Sequence, residues 1–348
     1  MGTNISKIIH LSKTEYDPFI DFMKGICILF VIINHCIGES IHKSIYYCLW
    51  GDMAVPLFLI IQTFHAYKKG LSTKIKIGKI WSRMLKDFFI LQAFLIVITI
   101  VRNEHSVKEV LFNTLQQGGL GSGSYYVWIY VQFAILLPLC AYFIDKLKKP
   151  LTLFILFAAI CEIFEILFSI YGIELYRLLA IRYIFLIPIG YLIAVKGEVT
   201  ITATSIVLSV VSLLAIVIFC YSSLPLEPWF YQHCDWNWSM FHWICFFFVG
   251  SLFIWFLHLI YGTLHTKVNT WVLYLGKHSY EIFLIQMGWY ALFGYGTIQW
   301  LNNIGSNQTS RIIYIILSLI ITVTIYPVYD WLKHIIRKRL SIYSTNKL

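Results

Sequence analysis

The sequence predicts an all-α fold, a multi-pass membrane helix bundle of about ten transmembrane helices, and three observations predict it. Of the 348 residues, 59% are hydrophobic and 13% are charged, about half the charged share of an average soluble domain. Apolar runs of about 20 residues, each long enough to cross a hydrocarbon core of about 30 Å, recur along the whole chain. The cations between those runs segregate: 19 Lys and Arg fall on one side of the ten-span plan and 5 on the other, with Lys24, Arg182 and Lys277 inside spans. That bias places both termini in the cytoplasm. The net charge of +10 thus serves topology and contact with the lipid bilayer, and does not point to nucleic acid.

The spans read 19–37, 45–67, 87–103, 125–144, 151–171, 176–195, 201–222, 239–261, 271–295 and 311–332. Ahead of the first there is no basic region followed by a small-residue cleavage site, so that helix is expected to stay as an anchor. No internal repeat or low-complexity tract interrupts the series. The expectation is a single membrane-embedded domain over 1–348, with no separate soluble domain.

The first span, FIDFMKGICILFVIINHC from Phe19 to Cys36, carries Asp21, Lys24 and His35. Lys24 and His35 are eleven steps apart, which at roughly 100° per residue returns to within about 20° of one face over about 16 Å of rise. Asp21, three residues before Lys24, shares that face. Ionisable groups inside a membrane helix are costly and mark functional sites by default. The alternative is an Asp–Lys pair that snorkels to the interface and a His bonded to a neighbouring helix.

The 68–86 connection, KKGLSTKIKIGKIWSRMLK, reads as a cytoplasmic loop with seven cations. It either serves topology and touches anionic lipid or docks a polyanion, since clustered Lys and the forked donors of Arg suit phosphates. The 104–124 connection reads as an external loop that ends in glycines; Gly118 to Tyr126 is GGLGSGSYY. It lacks phosphate-loop spacing. It reads as a tight re-entry turn with interfacial aromatics, whose glycines would also let backbone approach a sugar.

Farther along, Glu165 and Arg182 fall at matching depth in neighbouring spans, each roughly 9 Å from the outer boundary, and are expected to pair. The external connection 223–238, SLPLEPWFYQHCDWNW, offers Trp229, Asp235 and Trp236 as an interfacial belt or a carbohydrate platform. The ninth span holds LGKHSYEIFLIQM, Leu275 to Met287, with Glu281 as an ionisable candidate. Eight Cys include no C-x-x-C, and no His or Cys spacing suits zinc or haem, so no metal is expected.

Three of these stretches resemble one family. Asp21-x-x-Lys24-Gly25, an apolar run and then Asn34-His35 resemble the first helix of the membrane-bound acyltransferase-3 family, whose pattern is Arg or Lys, ten residues, then His. Arg83 and Lys86 stand where that family carries R-x-x-R. Leu275 to Met287 resembles its L-G-K-x-S-Y-x-I-Y-L stretch, with Gln286 where His is common.

The resemblance implies an enzyme, an acyltransferase moving an acetyl (acyl) group from cytoplasmic acetyl-CoA to a hydroxyl of a surface polysaccharide or its lipid-linked oligosaccharide precursor. On that reading Arg83, Lys86 and Lys79 bind the phosphates of the acyl-CoA, although Lys86 lacks the bidentate fork of Arg. Lys24, positioned by Asp21, holds the pantetheine or pyrophosphate end. His35 acts as general base on the acceptor hydroxyl or is itself acylated. Tyr126, Trp229, Asp235 and Trp236 face the acceptor. Gln286 does not supply the basicity of the His it replaces. The alternatives are a transporter or flippase for a lipid-linked sugar, which the lack of a visible inverted repeat disfavours, and a polysaccharide polymerase.

Overall fold

A computed structural model of the chain describes residues 7–12, 16–37, 53–102, 106–147, 149–170, 178–221 and 242–345. In chain order the elements are β1 (Lys7–His10), α1 (Pro18–Asn34), α2 (Ala54–Tyr67), α3 (Ile77–Val101), α4 (Val107–Gln117), α5 (Tyr125–Leu147), α6 (Pro150–Ile170), α7 (Leu186–Lys196), β2 (Glu198–Ile201), α8 (Ala203–Tyr221), α9 (His242–Thr263), α10 (Thr266–Lys277), α11 (Ser279–Trp289), α12 (Tyr295–Ile304) and α13 (Asn307–Thr345). Among the described residues, four segments are long and apolar enough to cross a membrane: α3, α5, Pro150–Phe168 of α6 and Asn307–Trp331 of α13. Shorter apolar segments cover α2, α7, Ser205–Leu214 and Leu252–Thr263. Large side chains point outward from the long helices, among them Phe89, Ile90, Phe94 and Val97 on α3 and Ile312, Ile316 and Ile320 on α13. A soluble surface does not carry apolar faces of that extent. Helices suit the bilayer because each satisfies its own backbone.

α1 is the helix the core forms around. Pro18 opens it, and Asp17 caps it by accepting a hydrogen bond from the Phe19 N–H at 3.0 Å, which satisfies one of the orphan donors of the first turn. Phe22, Cys27, Ile28 and Ile32 are fully buried along it. α1 lies tightest against α10. A Cβ at Gly276 would collide with the Asp21 carbonyl, and one at Gly25 with the Val272 carbonyl. Missing side chains at a helix crossing let two backbones meet, the usual device for helix association in lipid. β1 pairs antiparallel with β2, Lys7 opposite Ile201 and His10 opposite Glu198, which ties the N-terminal segment to the connection after α7.

Several expected boundaries are corrected. The 68–86 stretch is a loop only as far as Lys76; from Ile77 it is the start of α3. Ile77, Ile80, Met84 and Phe88 recur at helical spacing between the cations, and Met84 and Phe88 are buried, so the apolar stripe outweighs the charge density that suggested a loop. Within this start, Trp81–Leu85 form a π-helical turn. The expected 104–124 loop contains α4, which opens on a capping box between Ser106 and Glu109 and closes on Gly118 at φ +74°. The helix expected at 176–195 begins at Leu186, preceded by a 3-10 turn at Ala180–Tyr183.

Irregular backbone shielded from water needs partners, and this 3-10 turn has them. Gln132 donates to the Leu178 carbonyl at 2.6 Å and accepts from the Ala180 N–H at 3.0 Å. The expected ion pair is present here, Arg182 Nε to Glu165 Oε2 at 3.4 Å. The helix expected at 271–295 is interrupted at His278, between α10 and α11, and passes through a second π-helical turn, Tyr290–Gly294, into α12.

Candidate active site

The Lys24 ammonium contacts the Asp21 carboxylate one turn earlier on α1. Asp21 is 6% exposed, so its charge would be expensive to bury without that partner. His35 is the C-cap residue of the same helix. The last-turn carbonyl of Ile32 accepts from the Tyr290 hydroxyl at 2.8 Å and from Cys36 Sγ at 3.3 Å, and the Tyr290 ring meets the His35 imidazole edge-on at 5.8 Å. The π-helical turn beginning at Tyr290 therefore fixes both the end of α1 and one side of the imidazole. Such turns recur at functional positions.

The glycine-rich turn between α4 and α5 supplies the opposite side. Buried Gln92 of α3 clasps it, accepting from the Leu120 N–H at 2.6 Å and donating to the Leu120 carbonyl at 3.0 Å. Trp128 Nε1 donates to the Gly118 carbonyl at 2.6 Å. Gly123 has φ +87°, and a Cβ there would lie 3.2 Å from His35 Nε2 and 3.0 Å from the Phe283 ring. The left-handed backbone excludes most residues, and the missing side chain leaves room beside Nε2.

His35 and Gly123 line a cavity of about 1030 Å³. Around them stand Asn34, Tyr125, Tyr126 and Phe283, with Lys24 farther down α1 and Lys277 and Glu281 on α10 and α11. The cavity extends to Lys68, Lys69, Lys76, Lys79 and Arg83 where α2 ends and α3 begins. Along α1, Lys24 and His35 are about 16 Å apart by helical rise, so the cavity is long as well as wide. α2 contributes Phe58, Gln62 and His65, a single stripe at i, i+4 and i+7. Among the described residues, seven Lys and Arg line the cavity against one carboxylate, Glu281. At close range and partly out of water such an excess attracts anions. A second cavity of about 270 Å³ opens beside the basic end, sharing His65, Lys76, Lys79 and Arg83 and walled by Leu137 and Pro138 of α5. The Tyr280 hydroxyl donates to the Met84 carbonyl at 2.6 Å, so the Leu275–Met287 stretch grips the π-helical turn that carries Arg83.

Of the residues singled out from the sequence, Lys24, His35, Lys79, Arg83 and Tyr126 share the large cavity. Asp21 stands behind Lys24, and Lys86 is on α3 but not on the cavity wall. Trp229, Asp235 and Trp236 lie outside the described residues. His65, Gln62 and Lys277 line the cavity and were not anticipated. The signal for the first two was the spacing of Gln62 and His65, two polar residues three apart in an apolar run. Among the described residues no three His, Cys, Asp or Glu side chains cluster as a metal site would require.

The family model described as an acyltransferase domain matches residues 17–328, from the N-cap of α1 into α13. No curated protein and no solved structure matches the chain.

Proposed function

The chain belongs to the acyltransferase-3 family and is a membrane acyltransferase; we propose that it moves an acetyl group from cytoplasmic acetyl-CoA to a hydroxyl of a surface polysaccharide or its lipid-linked precursor. The observation that carries this reading is the continuity of one cavity from the basic end at Arg83 to His35. A donor with several phosphates at one end and a thioester at the end of a long arm fits that polarity. The phosphates would rest on Arg83 and Lys79 with Lys68, Lys69 and Lys76, and Lys86 would add charge from outside the wall. The arm would pass Lys24 and Lys277, and the thioester would reach His35.

There the acceptor oxygen attacks the thioester carbonyl carbon while His35 Nε2 takes the hydroxyl proton. The carbonyl π pair moves onto oxygen. When the tetrahedral intermediate collapses, the C–S bond breaks, and the departing thiolate takes that proton from the imidazolium. Tyr126, held by the Phe58 and Phe283 rings at 6.0 and 5.8 Å, would face the acceptor, together with Trp229, Asp235 and Trp236.

The same proposal has ten spans with both termini cytoplasmic in the plasma membrane. Two pairings support that arrangement. β1 joins β2, two segments that the charge bias puts on one side, and Gly123 meets His35, both assigned to the outer half. A transporter or flippase gains no support from the family match. The test is transfer of radiolabelled acetyl from acetyl-CoA in membrane vesicles, with and without surface glycans. Glycan-dependent label incorporation is expected. An active vesicle preparation that incorporates no label from acetyl-CoA into any glycan fraction would overturn the donor assignment.

A further inference from the structure

The turn beside His35 carries backbone donors that no other described group uses. Among the described residues, no group accepts a hydrogen bond from the N–H of Ser122 or of Gly123. Ser122 and Gly123 are part-buried, and Gly123 is on the cavity wall next to His35 Nε2.

A second observation comes from α11. Gln286 is fully buried; its Nε2 lies 3.5 Å from the Ser122 carbonyl, and its Oε1 has no partner among the described residues. The carbonyl of Ser122 and the N–H of Gly123 belong to one peptide group. In a trans peptide these point in opposite directions. Gln286 therefore pins one end of the peptide and presents the Gly123 N–H on the side away from itself. The turn runs directly into α5, a helix of 23 residues, whose N-terminal partial positive charge adds to the same field.

We propose that the Gly123 N–H, backed by that of Ser122, is the oxyanion-stabilising donor of the acyl transfer, with Gln286 as a positioning residue. The proposal rests on the reading of His35 as the base. The acceptor attacks beside Nε2, so negative charge develops on the thioester oxygen within reach of this turn. A preorganised N–H there stabilises the intermediate more than the ground state. It also accounts for a glycine at 123: a side chain would occupy the space where the thioester carbonyl must sit.

The experiment replaces Gly123 by the corresponding α-hydroxy acid in the full chain, which converts one amide to an ester and removes one N–H. Acetyl transfer from acetyl-CoA should fall by about 10²–10³-fold in kcat, with donor affinity unchanged. A kcat within twofold of wild type would overturn the proposal. Should that protein not fold, the wild type is compared on acetyl-CoA and on its dithioester analogue, in which sulfur replaces the carbonyl oxygen and accepts hydrogen bonds poorly. The expected result is a preference for oxygen at least tenfold beyond the uncatalysed ratio, and Gln286→Leu should shrink it. No preference beyond the uncatalysed ratio would contradict the proposal. His35→Ala is run alongside. Loss of transfer in His35→Ala with full activity in the ester variant sinks the oxyanion donor alone. Activity in His35→Ala, or none in wild type, removes the reading of His35 and this proposal together.

Discussion

Lys24 and Arg83 line the same cavity but stand in different electrostatic settings. Lys24 is matched by buried Asp21, so much of its charge is spoken for within α1. Arg83 stands at the basic end of the cavity with Lys68, Lys69, Lys76 and Lys79, and among the described residues it makes no ion pair. Arg83→Ala should therefore raise the KM for acetyl-CoA by roughly tenfold or more, since hydrogen bonds to charged groups contribute about 1.5–3 kcal/mol, and leave kcat nearly unchanged. A kcat loss at unchanged KM would show that Arg83 serves the chemical step instead. The shared face of Lys24 and His35 was legible in the sequence because helical periodicity alone fixes it. His65 and Lys277 were not, because their place on the wall depends on how α2 and α10 are rotated against α1. Gln286 was read only as a departure from the family's His; its contact with Ser122 depends on a turn 164 residues away.

At the level of helices, the sequence located most elements, since apolar runs and caps are local signals. It misjudged the start of α3, where charge density hid an apolar stripe, and passed over α4, whose capping box and closing glycine were there to be read. The depth match of Glu165 and Arg182 was legible from rise per residue, and they meet at 3.4 Å. Neutralising either should destabilise the protein by about 3–5 kcal/mol, because the other charge is stranded in low dielectric. The double swap Glu165→Arg with Arg182→Glu should recover part of the melting temperature; no recovery would mean that the pair is not the source of the loss. The α1–α10 crossing has its own test. Gly276→Ala forces a methyl group into the Asp21 backbone, which cannot swing aside as a side chain could. Overpacking of this kind typically costs about 1–3 kcal/mol, so the variant should melt lower than wild type. A melting temperature equal to wild type would contradict so close a crossing.

Across the protein as a whole, the cavity has one basic end and one end at the glycine-rich turn, and the charge bias assigns these to opposite sides of the membrane. Thiol labelling in a cysteine-free background should reach a cysteine at position 306 from outside and not one at position 74; strong external labelling at 74 would reverse the proposed orientation. The most direct test is purified wild type beside His35→Ala, with acetyl transfer and acetyl-CoA binding measured on the same samples. His35→Ala should bind acetyl-CoA as wild type does, because the proposed phosphate site is at the far end of the cavity, and should lose about 10²–10⁴-fold in transfer rate. Undiminished transfer by His35→Ala would contradict the assignment of this cavity as the site of acyl transfer.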